Sequence, residues 1–480
     1  MKVAFSHQFV VSKTSYSLPV EWPWRDLGEL QLATADDLPV VELINEHNSI
    51  FAVLLGWPID TVSQRILAGT IKIQATQSNT FEQLLLTLAG RWLAINLENE
   101  KIYADAMSSQ SAVFHARRRI VCSSAALLPA ELQLMNENMS QRMNVGQSEN
   151  FYPFGVLPQS DVKRLLPSHK ISLKTATISR YWWPSPENWH GLEHAADIIS
   201  TQVRGTIHAC VNTYPVRQGL SAGFETRLML ACSKAYHQHI KFWTRAETKR
   251  GSQLDQLTAQ ALSARFGLNY ELISTALQTS DTPEQWLHRT GHCVGGGALQ
   301  NRHLIDSIHQ VYIALTGIGG ETCRAFYWPS RQLPRRLNVE LLLKLAGLPP
   351  LDEFIAAGKL YLQDISHLPV HVQLGLFYLE NRVSAYASPH KYGNQHGIIF
   401  IYPLNHHDTV NQMLICPQAL QLKSALHRQV IKQNWPEIEQ LPYNLPLHPV
   451  LRYLTQFKKL MTRCKSALYF WRLKRRFKAN

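Results

Sequence analysis

The sequence predicts an α/β protein, with a strand-rich N-terminal α+β domain followed by a parallel-sheet α/β domain that ends in a helical C-terminal part. Three observations predict this. Residues 1–120 hold β-branched and aromatic runs of strand length. From residue 191 onward, strand-like pieces alternate with helical ones, the texture of a parallel sheet with crossover helices. Two of those strands run directly into glycine turns. The expected division is 1–185, 191–440 and a basic tail at 441–480, with the proline-punctuated stretch 155–184, ending in RYWWP, as the crossing.

The elements follow in chain order. Residues 2–12 form the first strand-like run, and 71–73 a short one. Residues 80–88 carry apolar side chains at helical spacing. Residues 91–97 (RWLAINL) and 101–104 (KIYA) read as a hairpin across Glu98-Asn99-Glu100. A single long helical pattern covers 192–211. A turn at 219–224 then leads to a helix from Thr226, a strand at 240–244, a helix at 255–266 and an apolar strand at 311–315. Residues 335–450 read as mainly helical.

Composition narrows the function classes. The chain has 480 residues, 45% hydrophobic and 17% charged, with 24 Gly and 24 Pro. This excludes a disordered, collagen-like or mucin-like chain. Seven scattered cysteines without a CxxC pair support neither a zinc knuckle nor a thioredoxin-type site, and fit reduced thiols in the cytoplasm. The first residues lack the sustained apolar stretch of a signal peptide. No run of about 18 apolar residues predicts a membrane span. The net charge of +13 asks for an acidic partner, yet residues 452–480 hold ten Lys or Arg and no acid, which leaves +3 for the rest. No nucleic-acid partner is therefore expected. The tail reads either as a basic amphipathic helix for an anionic membrane surface, at the inner face of the membrane, or as a helix docked on the core.

The stretch QGLSAGFETRLMLAC, 218–232, is the most informative. Small residues in a tight turn before a helix aim backbone N–H groups at one point and favour an anion. Ser221 and Thr226 add hydroxyls, Arg227 a charge and Glu225 a carboxylate. The alternative is an ordinary strand-to-helix turn. A second turn, Thr316-Gly317-Ile318-Gly319-Gly320-Glu321, follows the apolar strand and also closes on a carboxylate. Two such strand ends in one sheet could present Glu225 and Glu321 to Mg²⁺ carrying a nucleotide phosphate.

These motifs resemble those of the asparagine synthase (glutamine-hydrolysing) family. SAGFET at 221–226 is similar to that family's SGGxDS pyrophosphate loop, and TGIGGE at 316–321 to its SGxGxDE loop. Asp255, in LDQLTAQALSARFGL, resembles its Asp-led helix, and Phe326-Tyr327-Trp328 its aromatic pair. GRWLAINLENEKIYADAMSSQSAVFH, 90–115, resembles the hairpin of class II glutamine amidotransferase domains, and VKRLLPSHKISL with RYWWP the family's linker. The resemblance covers roughly 1–420 in the family's order. It implies an Ntn-like sandwich before an ATP-pyrophosphatase domain with an adenine nucleotide alpha-hydrolase-like fold.

The resemblance also implies roles. Ser221, Gly223, Thr226, Arg227, Asp255, Gly317, Gly319 and Gly320 would bind ATP, Glu225 and Glu321 would hold Mg²⁺, and Arg382 would take the place of a catalytic Lys. Arg could stabilise phosphoryl charge but could not shuttle a proton. For Arg382, a surface helix residue paired with Glu380 or another acid is the competing reading. The departures are specific. Both metal positions are Glu where the family has Asp, Ala222 replaces a glycine, and Ile318 replaces an acidic residue. Lys2 stands where class II glutaminases have their nucleophilic Cys, and no Asn-Gly pair occurs. The implied activity is ATP-dependent adenylation of a substrate carboxylate, followed by amide formation, without glutaminase activity. The substrate class implied is a small-molecule, sugar-acid or peptide carboxylate. The competing class is a non-catalytic member with a binding or regulatory role.

Other clusters carry less. His390, His396, His406 and His407 beside Asp408 read as scattered loop histidines, and Trp182-Trp183 as packing at a domain junction.

Overall fold

The computed structural model describes residues 5–73, 78–246, 250–274, 282–299, 311–328, 332–394, 398–441 and 443. Lys2, His396, Cys464 and the basic tail, apart from Leu441 and Tyr443, lie outside the described residues. The described residues are mixed α/β and form three sheets.

Two sheets build the N-terminal half. The first has six strands, in the spatial order Val162–Arg164, Val113–His115, Ile120–Cys122, Phe9–Ser12, Gln31–Thr34, Trp24–Asp26, and its ladders are antiparallel. The second has eight strands, centred on the long antiparallel pair Ile50–Asp60 and Leu88–Asn96. Side chains along a strand alternate between faces. Leu93 and Ile95 accordingly join the large core shared with the first sheet, whereas Trp92 and Ala94 join a smaller core. Phe81 and Leu85 of the helix Ser78–Leu86 cover that smaller core. With both faces covered, every residue of Leu88–Asn96 is buried, which accounts for its nearly continuous apolar sequence. The expected hairpin is present, with Asn96 paired to Lys101 and Leu93 to Ala104.

The C-terminal half is organised by a five-stranded parallel sheet. Its order is Tyr270–Ser274, Ile240–Ala246, Val216–Gly219, Tyr312–Leu315, Ile398–Ile401. The chain winds outward from Val216–Gly219 on one side, then returns to Tyr312–Leu315 on the other. The reversal lies between Val216–Gly219 and Tyr312–Leu315, where the ends of neighbouring strands leave a crevice. The helix Leu192–Val211 joins the two halves. A Cβ at its Gly205 would stand 2.7 Å from the Thr61 carbonyl oxygen, so only glycine lets the helix approach this closely. The buried pair Arg180–Glu380 and a core continuous from Phe9 to Ile438 fasten the halves further.

Some expectations shift. The helix after the first glycine turn is Phe224–Cys232, and the one after the second strand is Arg250–Phe266. The stretch 335–450 is mainly helical where described, but Ile398–Ile401 is an edge strand of the parallel sheet. A π-helix spans Tyr378–Ala387. Among the described residues no helix is long and apolar enough to cross a membrane.

Candidate functional site

The two glycine turns meet at the reversal point of the parallel sheet. Gln218 and Leu315 are register partners, so both turns leave the sheet side by side. In the first, the Ser221 and Thr226 hydroxyls lie 2.9 Å apart, and the Gly223 N–H donates to Ser221 Oγ at 3.1 Å. The Ala222 N–H donates to Asp255 Oδ1 at 2.9 Å, which anchors the turn to the helix Arg250–Phe266. Gly223 is the N-cap of Phe224–Cys232 and makes no side-chain capping bond. The first-turn N–H groups of that helix, with two hydroxyls beside them, are suited to the oxygens of an anion.

The second turn closes over Glu225. A Cβ at Gly317 would lie 2.8 Å from Glu225 Cβ, and one at Gly320 would lie 2.6 Å from Glu225 Cγ. Gly319 adopts a φ of +94°, and its Cβ would fall 2.5 Å from Met107 Cε in the N-terminal half. Glycine is needed here for close approach and, at Gly319, for a left-handed backbone. Ile318 is half-buried against the core.

The two carboxylates are neighbours with different partners. Glu225 Oε1 is ion-paired with Arg324 Nη1, and His427 Nε2 stands 3.8 Å away. Glu321 Oε2 accepts the Tyr378 hydroxyl at 2.7 Å. Burial first, and the nearby Glu225 second, push the Glu321 carboxyl above its usual range, against the pull of Tyr378. Burial holds the His427 imidazole down at about 4, so it is neutral at physiological pH. Cys323 Sγ lies 3.6 Å from His427 Nδ1, and burial pushes that thiol well up. Divalent cations favour ionised oxygen ligands. Here one carboxylate is engaged by a guanidinium and the other is biased toward its neutral acid. Among the described residues no group of three acidic, His or Cys side chains could hold a metal ion.

Two expected residues are engaged elsewhere. Arg227 is fully buried, donates to the carbonyls of Leu441 at 2.6 Å and Ile438 at 3.4 Å, and lies 4.2 Å from the Tyr443 ring centre. It ties the helix Phe224–Cys232 to the end of the described chain. Arg382 donates to the Glu149 carbonyl at 3.0 Å, lies 3.9 Å from that residue's carboxylate and sits 4.1 Å from the Tyr386 ring centre. Glu380, its alternative partner, is paired with Arg180 instead. Ser221, Gly223, Glu225, Thr226, Asp255, Gly317, Gly319, Gly320 and Glu321 do converge. Arg324, Tyr378 and His427 were missed. Arg324 is three residues beyond Glu321 and carried a weak signal, whereas the other two arrive from distant elements.

The N-terminal half holds no accessible thiol among its described residues. Its Cys122 is fully buried, and burial raises its thiol far above the usual range. Asp105 accepts the N–H groups of Trp92, Met107 and Ser109, together with the Ser109 hydroxyl at 2.6 Å. Trp182 and Trp183 pack edge-on against His407 and His367.

No family model matches this chain, and no curated protein matches it. Among solved structures it is similar to glutamine-dependent NAD+ synthetase from Acinetobacter baumannii in complex with adenosine diphosphate, at 12% sequence identity. The match covers 46% of this chain and 41% of that protein, with a TM-score of 0.17. A likeness this slight carries nothing about fold or function.

Proposed function

We propose that the chain is an asparagine synthase-like, ATP-dependent ligase that adenylates a substrate carboxylate and passes it to a nitrogen nucleophile, without glutaminase activity. The supporting observation is the convergence of two glycine turns, each ending in a glutamate, at the reversal point of a parallel sheet. The uncapped N-terminus of Phe224–Cys232, Ser221 and Thr226 would bind the phosphates. Asp255 would fix the turn that carries them. Bound there, ATP would supply an electrophilic α-phosphorus and a pyrophosphate leaving group. Arg324 would have to release Glu225 before the two carboxylates could take Mg²⁺. The acyl acceptor site would open toward the N-terminal half, which meets the second turn at Met107. The substrate would be a small-molecule, sugar-acid or peptide carboxylate.

The ion pair between Arg324 and Glu225 favours a second reading, a non-catalytic member that binds or regulates. ATP–pyrophosphate exchange over a panel of sugar acids and acidic peptides separates the two. Exchange that depends on one acid and is abolished by Glu225→Ala or Glu321→Ala supports the ligase. ATP binding without exchange on any acid supports the binding role, and no ATP binding with or without Mg²⁺ overturns both.

A further inference from the structure

Arg91, Arg164 and Lys391 are among the cationic side chains buried where the two halves meet, outside the glycine turns. Arg91, on Leu88–Asn96, is 1% exposed, Arg164, on Val162–Arg164, is 2%, and Lys391, in the 3-10 segment Pro389–Gly393, is 7%. The Arg91 guanidinium carbon sits 5.7 Å from the Trp57 ring centre and 5.5 Å from that of Tyr392. The Tyr392 hydroxyl faces its guanidinium closely enough to interact, yet none of the three guanidinium nitrogens meets it or any other acceptor among the described residues in full hydrogen-bond geometry. Arg164 donates Nη1 to Ser111 Oγ at 2.7 Å and lies beside the buried Cys293 thiol, while its Nε and Nη2 meet no acceptor in full hydrogen-bond geometry among the described residues. The Tyr392 hydroxyl donates to the carbonyl of the same Ser111 at 2.7 Å, which links Arg91, stacked on Tyr392, to Arg164. Lys391 Nζ lies 3.9 Å from the Phe400 ring centre. Burial, and after it the guanidinium groups of Arg91 and Arg245, push its ammonium well below its usual range.

The nearby buried acid does not balance them. Asp105 is 1% exposed and is taken up by the N–H groups and hydroxyl of its own turn. A guanidinium does not shed its proton in a protein, so burial cannot neutralise Arg91 and Arg164 as it can Lys391. Uncompensated buried charge is strongly unfavourable, and a planar guanidinium fork matches a carboxylate or phosphate edge.

We propose that Arg91, Arg164 and Lys391 form a buried site for one small oxyanion, a carboxylate, phosphate or sulfate, held between the two halves of the chain. The enclosing residues are all under a tenth exposed, which restricts the ligand to a few heavy atoms. The site shares no side chain with the glycine turns, so it stands whether or not they bind a nucleotide.

Thermal unfolding of the full chain in phosphate, sulfate or acetate, against chloride at matched ionic strength, tests the site and identifies the anion. The expected result is a saturable rise in melting temperature with one of the three, lost in Arg91→Met and partly kept in Arg91→Lys. After exhaustive dialysis into chloride, Arg91→Met should melt above the wild type, with the order reversed by the saturating oxyanion. No saturable response to any of the three, or an equal response from Arg91→Met, overturns the proposal. If Arg91→Met does not fold, calorimetry of Lys391→Met with the selected anion decides. Binding roughly 30-fold weaker than wild type supports the site, and unchanged affinity overturns it.

Discussion

Glu225 and Glu321 are each one methylene longer than the aspartates of the pattern they resemble, and in Glu225 the extra reach has a visible use. Its stem passes beneath Gly317 and Gly320 and its carboxylate meets Arg324. Glu321 is half-buried and accepts the Tyr378 hydroxyl. Tyr378→Phe removes the donor but leaves the acceptor, and should cost about 1 kcal/mol of stability in urea unfolding. Arg324→Met tests the opposite partner. It frees Glu225, and if the carboxylates serve a nucleotide-borne cation, Mg²⁺-dependent ATP binding should tighten by roughly tenfold; binding that does not change would show that Arg324 is no barrier. The residue types in the two turns were readable from sequence. Their partners were not, because Tyr378 and His427 come from segments more than fifty positions away along the chain.

The strand before the second turn, the hairpin at Lys101 and the helix Leu192–Val211 were legible because their apolar patterns were strong and bounded by glycine or polar turns; Val216–Gly219 was not, since VRQG carries a single apolar residue and only its turn was readable. Ile398–Ile401 was not, since four buried apolar residues among helices have no period of their own. The second turn provides the sharpest test at this level. Gly320→Ala would drive a methyl group to 2.6 Å from Glu225 Cγ and should cost about 1–3 kcal/mol through overpacking; under the proposed ligase function it should also abolish ATP binding measured by calorimetry. Gly219→Ala meets nothing within 4 Å and serves as the nearly neutral control.

The continuous core and the buried Arg180–Glu380 pair predict that the whole molecule unfolds as one cooperative body. Arg180→Met leaves a buried glutamate without its partner and should cost about 3–5 kcal/mol, seen as one earlier urea transition rather than two. Acid should be destabilising. Burial lowers His169 and His407 to about 3 and His427 to about 4. Each folded value lies below that of the unfolded chain, so the unfolded state binds protons first as pH falls below about 6.5. Their contribution is intact above that pH and declines toward the folded values, by about 2 kcal/mol per histidine at pH 5. Melting curves between pH 7 and pH 5 should show the drop, and His407→Gln should reduce proton uptake on unfolding at pH 5 by about one.

The approach of Gly205 to Thr61 also bears on whether the two halves can be separated. Here, deleting the first 185 codons would strip the covering from one flank of Leu192–Val211 and leave Met107 missing from beneath the second turn. The first half is therefore a wall of the crevice at the second turn, and removing it should expose that turn as well as unsettle the fold.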